Sequence, residues 1–143
     1  MNDGAVGASH RPARSYQDLH VWQRSMDWVP LVYQLTQAFP SVERFGLAQQ
    51  LCRAAASVPA NIAEGHGRAS YREFARFLAV AKGSLFEAET FIFLAVRLGY
   101  LNDADVADAL ASSNEIGRML TSLRASVLRR LAQHSEQHTA TDS

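Results

Sequence analysis

Leu19, Trp22, Met26, Val29 and Tyr33 recur at alternating steps of three and four, the spacing that lines one face of an α-helix. A second seam, Val21, Trp28, Val32, Leu35 and Phe39, lies beside it, so this segment offers apolar side chains to two neighbours. Pro30 falls within it and predicts a kink. Phe39-Pro40-Ser41 ends it, and Ser41 with Glu43 marks a restart. The next segment, about residues 43 to 65, is dominated by Leu47, Leu51, Ala54, Ala55, Val58 and Ile62, with Gly65-His66-Gly67 as its expected stop. Pro59 interrupts it and frees the Ala55 carbonyl. So few residues remain before the glycines that one kinked helix is expected rather than two.

The third segment opens with Ser70-Tyr71-Arg72-Glu73, a capping box in which serine and glutamate are expected to satisfy each other's backbone donors. Phe74, Phe77, Leu78, Ala81, Leu85, Ala88, Ile92 and Ala95 then follow one face until Gly99. The fourth begins at Asn102 or Asp103, with Asp105 and Asp108 near the positive end of its dipole. Its seam is Val106, Ala109, Ser113, Ile116, Leu120, Leu123, Val127 and Leu131. No run alternates as a half-buried strand would. Four long helices with short connections make antiparallel neighbours, so the expected fold is all-α, an antiparallel up-down-up-down four-helix bundle. It spans residues 16–131, between an N-terminal tail (1–15) and a C-terminal tail (132–143) without apolar period.

The chain has 143 residues, 48% of them hydrophobic and 20% charged, which suits one globular domain and excludes wholesale disorder. Lys plus Arg and Asp plus Glu each number 14. No global field therefore draws it onto nucleic acid or anionic lipid, and any such binding must be local. The beginning of the sequence predicts no secretory leader, and no apolar run is long enough to cross a bilayer, so a cytoplasmic location is expected. Cys52, the single cysteine, lies among Leu51, Ala54 and Ala55 and reads as a small buried hydrophobe. His134 and His138 have the i, i+4 spacing of metal ligands, but two histidines in a tail make no site. Gly65-His66-Gly67 lacks the lysine and preceding strand of a phosphate loop. No catalytic residue, cofactor or metal is expected.

Three constellations stand out. On the second helix Gln50, Arg53, Ser57, Asn61 and Glu64 form a narrow polar stripe, for which Ser84, Glu87 and Arg97 of the third could supply partners. A structural hydrogen-bonded seam is the favoured reading; a small-ligand or catalytic use of Asn61, Glu64 and Glu87 is the outlying one. Arg68, Arg72 and Arg76 step by four at the start of the third helix, a basic stripe able to meet phosphates. Farther down, Phe86 and Phe93 lie away from the core and, with Trp28, are candidates for an interface between copies. Finally, Arg118, Arg124, Arg129 and Arg130 fill the last half of the fourth helix without an acid among them. Projected around that helix they encircle its surface rather than line one groove.

Several stretches carry a family pattern: Tyr16-Gln17-Asp18-Leu19-His20-Val21-Trp22-Gln23, Phe45-Gly46-Leu47, and above all Ser57-Val58-Pro59-Ala60-Asn61-Ile62-Ala63-Glu64-Gly65 followed by Arg68. Over roughly residues 16 to 125 the chain resembles the four-helix bundle family named after proteins encoded in intervening sequences of bacterial 23S rRNA genes, also called the S23 family. The resemblance implies a homopentameric barrel. A relative in fold, the accessory variability protein of diversity-generating retroelements, is strongly basic and binds its reverse transcriptase and nucleic acid; the balanced charge here departs from it. The family name records gene location, and no catalytic residues carry over.

The leading expectation is thus a non-enzymatic, homo-oligomeric helical scaffold or adaptor, with an RNA or an RNA-handling protein as candidate partner and no membrane. The alternative is direct, low-specificity nucleic-acid binding through the arginine surfaces.

Overall fold

The computed structural model describes residues 15–141. A 3₁₀ turn at Tyr16–Asp18 leads into α1 (His20–Thr36); a second, Ser41–Glu43, precedes α2 (Leu47–Gly67), followed by α3 (Tyr71–Arg97) and α4 (Asp103–Thr141). Cross-helix contacts set the directions. Trp28 meets Ala109 while Arg24 pairs with Glu115, so α1 and α4 are antiparallel. Ser57 meets Ser84 while Gly65 lies against Phe77, which sets α2 against α3 in the same sense. Glu89 meets Ser113 and Ala75 meets Arg124, which does the same for α3 and α4. Among the described residues α1 touches α2 and α4, α3 touches α2 and α4, and the diagonal pairs do not meet. The four helices are all-α bundle neighbours in cyclic order.

The expected seams form the core: Val21, Trp28 and Val32 from α1, Leu51, Val58 and Ile62 from α2, Leu78, Leu85 and Ile92 from α3, Ile116 and Leu120 from α4. Both interior prolines are carried within continuous helices. Trp28 is 1% exposed, and its Nε1 donates to the Ala109 carbonyl at 3.1 Å. That places Trp28 in the core and corrects the expectation of an interface residue: the seam facing outward on α1 is the other one, with Met26 and Tyr33 exposed.

The helix ends show where capping chemistry acted. Asn102 and Asp105 exchange two side-chain-to-backbone bonds of 2.9 Å, a reciprocal capping box at the start of α4. At Ser70 only half of the expected box forms. Ser70 Oγ accepts from Glu73 N at 3.0 Å, while the Glu73 carboxylate takes Arg76, a stronger charge-assisted partner. Gly99, at φ +79°, closes α3 with Tyr100 N donating to Ala95 O and Gly99 N to Val96 O, the paired bonds of a Schellman motif. α2 stops within the expected Gly65-His66-Gly67 run, its last residue being Gly67; Gly65 itself is buried, and a Cβ there would stand 2.5 Å from Phe77 Cβ. The restart comes later than expected, at Leu47, whose N–H reaches Glu43 Oε1 at 3.4 Å.

Residues 1–14 of the expected N-terminal tail lie outside the described residues. The expected tail beyond 131 is instead a continuation of α4 to Thr141, exposed from Ala132 onward. Once nucleated, a helix adds residues without needing a partner, so a missing apolar period marks missing packing rather than missing helix.

Candidate functional site

The polar stripe of α2 faces α3 and divides by depth. Ser57, Asn61 and Ser84 are half-buried, whereas Gln50, Arg53, Glu64 and Glu87 are exposed. Ser57 and Ser84 hydroxyls share a hydrogen bond of 2.9 Å. Asn61 Nδ2 donates to the Ser57 carbonyl and to Ser57 Oγ, both at 2.8 Å. Glu64 turns away to accept from Arg68 at 3.0 Å. Asn61 and Glu64 are thus tied to different partners, and Ser57 has hydroxyl and amide neighbours rather than a base. Among the described residues no buried side-chain nitrogen or oxygen lacks a partner.

A second polar bridge escaped sequence reasoning. Ser113, which sits in the apolar seam of α4, is fully buried and donates to the Glu89 carboxylate of α3. Lys82 Nζ donates to Thr121 Oγ1 at 2.6 Å along the same groove. The available signal was Ser113 itself, since a hydroxyl at a core position must find a partner. Two adjoining cavities of ≈ 460 and ≈ 450 Å³ share Lys82, Phe86 and Thr121 here; Arg124 lines one and Arg118 the other. Cys52 borders a separate ≈ 430 Å³ cavity with Phe39, Arg44 and Phe45. Burial pushes its thiol pKa up, against a smaller opposing effect of its contact with Thr36, so it is held as a thiol rather than the nucleophilic thiolate.

The two arginine sets, separate in sequence, reach the same end of the bundle. Arg124 Nε donates to the Ala75 carbonyl at 3.0 Å, and the Tyr71 and His134 rings meet edge to face at 6.5 Å. Arg68 and Arg76 both lie over the Phe77 ring, at 5.4 and 4.5 Å. Arg76 is paired with Glu73 at 2.9 Å, and this bond holds the Glu73 carboxyl below its usual range. Arg72, Arg129 and Arg130 are exposed and make no ion pair among the described residues. Arg118 lies farther along α4, apart from this end.

Phe86 and Phe93 are 51% and 53% exposed, Met26 and Tyr33 45% and 47%. At about 100° per residue, Phe86 and Phe93 fall beside Ala75, Lys82 and Glu89, the α3 residues that meet α4. Met26 and Tyr33 fall on the α2 side of α1, past Thr36, which touches Cys52 of α2. The two apolar patches therefore occupy opposite flanks, α3/α4 and α1/α2.

The profile of the family described as 23S rRNA-intervening sequence protein matches residues 17–122. No curated protein matches the chain. Among solved structures, a protein of unknown function from the S23 ribosomal protein family of Bacteroides thetaiotaomicron is similar, with a TM-score of 0.66 and 23% identity over 73% of this chain and 97% of that one. At that identity the likeness concerns the fold.

Proposed function

This chain belongs to the 23S rRNA-intervening sequence protein family, and on that premise we propose that it is a non-enzymatic scaffold that assembles with copies of itself into a closed ring. The observation that carries this reading is the pair of unlike apolar patches on opposite flanks. One flank presents Met26 and Tyr33; the other presents Phe86 and Phe93 beside the grooves that Lys82 and Thr121 line. Exposed apolar side chains clustered in this way mark contacts between proteins. Two different patches on opposite sides favour a heterologous, head-to-tail contact, which closes into a ring when the rotation per copy divides the circle. Five members is what the family resemblance implies. Against catalysis, the candidate nucleophiles are engaged otherwise: Ser57 with Ser84 and Asn61, and Cys52 as a thiol.

The test is mass by light scattering. Wild type is expected as a closed oligomer, and Met26→Asp/Tyr33→Asp and Phe86→Asp/Phe93→Asp as monomers. Because each double variant keeps one intact flank, mixing the two should give a heterodimer that cannot grow. A monomeric wild type overturns the proposal. Variants that stay monomeric when mixed overturn the head-to-tail geometry, since a contact using one patch twice leaves nothing to complement.

A further inference from the structure

We propose that the bundle end where α2 turns into α3 docks the phosphate backbone of single-stranded nucleic acid. The chain is neutral overall, yet its charge is polarised along the bundle axis. Arg68, Arg72, Arg76, Arg124, Arg129 and Arg130 gather at this end, against Glu64 and Glu73 on α2 and α3 and Glu136 farther along α4. The opposite end carries Glu43, Asp103, Asp105 and Asp108, with Arg44 and Arg97. A polyanion is drawn to one end and repelled by the other, a discrimination that the net charge conceals.

The arginines differ in what they can offer. Arg68 and Arg76 are pinned over Phe77 and paired with acids, so they shape the surface. Arg72, Arg129 and Arg130, which no carboxylate neutralises among the described residues, are free to take phosphate oxygens bidentately. They sit around the end as a collar rather than in one groove, which suits a flexible strand better than a rigid duplex. Tyr71, 40% exposed and braced by His134, stands beside Arg72. An aromatic face among phosphate-binding cations is the arrangement that stacks unpaired bases without reading sequence.

One copy supplies few phosphate partners, so its binding should be weak and strongly salt-dependent. Cyclic assembly would bring every copy's collar to the same rim and turn weak binding into avidity. That multiplication rests on the scaffold reading; the collar itself does not.

Fluorescence anisotropy of the full chain with a labelled oligouridylate of about 20 nucleotides, across roughly 50 to 200 mM salt, tests the proposal. Log affinity should fall linearly with log salt. Arg72→Glu/Arg129→Glu/Arg130→Glu should bind at least about tenfold more weakly at low salt, with a slope shallower by about 0.7 for each phosphate that the variant no longer neutralises. Tyr71→Ala should weaken binding at unchanged slope, Arg97→Glu at the far end should bind no more weakly than wild type, and a duplex of equal length should bind less well. Circular dichroism confirms that each variant is folded. Absent binding, or binding that the triple variant leaves intact, overturns the proposal; duplex binding as tight as single-strand binding overturns the choice of partner. Light scattering on the same samples separates the two readings. A monomer with arginine-dependent binding sinks the ring and keeps the collar, whereas a ring indifferent to the arginines does the reverse.

Discussion

Gly65 of α2 lies directly against Phe77 of α3, so close that a Cβ on residue 65 would stand 2.5 Å from Phe77 Cβ and 3.2 Å from a Phe74 ring carbon. The missing side chain is what lets α2 and α3 approach near their shared turn. It also seats Phe77, over which Arg68 and Arg76 are held.

Gly65→Ala should therefore destabilise the fold even though alanine is the better helix former. The intrinsic gain is about 1 kcal/mol, while forcing a methyl into a closed contact costs about 1 to 3 kcal/mol. Phe77 Cβ cannot swing aside as a side-chain tip could. Gly83 of α3 is the control, since a methyl placed there would meet nothing within 4 Å; Gly83→Ala should stabilise by about 0.5 to 1 kcal/mol. Urea unfolding of both variants decides the matter, and equal shifts of the same sign would refute the close-approach role.

Ser84→Ala examines the polar stripe. Losing the 2.9 Å bond to Ser57 should cost about 0.5 to 1.5 kcal/mol, softened because Asn61 still donates to Ser57. A Ser57→Ala/Ser84→Ala cycle should show coupling of about 0.5 kcal/mol or more. Assembly and oligouridylate binding should not change. Unaltered stability together with lost assembly would move the stripe from internal seam to interface.

The periodic seams made the four helices legible from sequence because burial of one face at a time imposes a period of about 3.6 residues. Asn102 and Gly99 were legible too, since caps are local chemistry written within a few residues. What stayed hidden depended on residues far along the chain. Either seam of α1 could have faced inward; the choice appears only when the Ala109 carbonyl, 81 residues away, accepts from Trp28. The stop at Gly65-His66-Gly67 was legible, but that Gly65 is also a point of close helix approach appears only when Phe77 is set against it. The arginine sets around Arg72 and Arg129 become one collar only because α4 returns antiparallel along α3. Sequence periodicity shows which faces are sticky, but their placement on opposite flanks comes from the cyclic order of packing.

The Tyr100 hydroxyl donates to Glu43 Oε2 at 2.9 Å, and its ring packs against Phe39 at a tilt of 46° with centroids 5.4 Å apart. This ties the α3–α4 turn to the segment between α1 and α2. The carboxylate acceptor, helped by some loss of solvent, raises the phenol pKa above its ordinary range. Because the folded value is the higher one, the bond's contribution is fully present below the unfolded phenol pKa of about 10 and is lost as pH rises through the folded value. Tyr100→Phe keeps the ring and removes the donor. The stability gap between wild type and this variant should be constant from about pH 7 to about pH 9 and narrow above about pH 10. Tyrosinate absorbance should confirm the cause: in native protein the component that disappears in Tyr100→Phe should be the late-titrating one. A gap that persists undiminished at high pH, or a component that titrates early, would mean the hydroxyl bond does not set this tie.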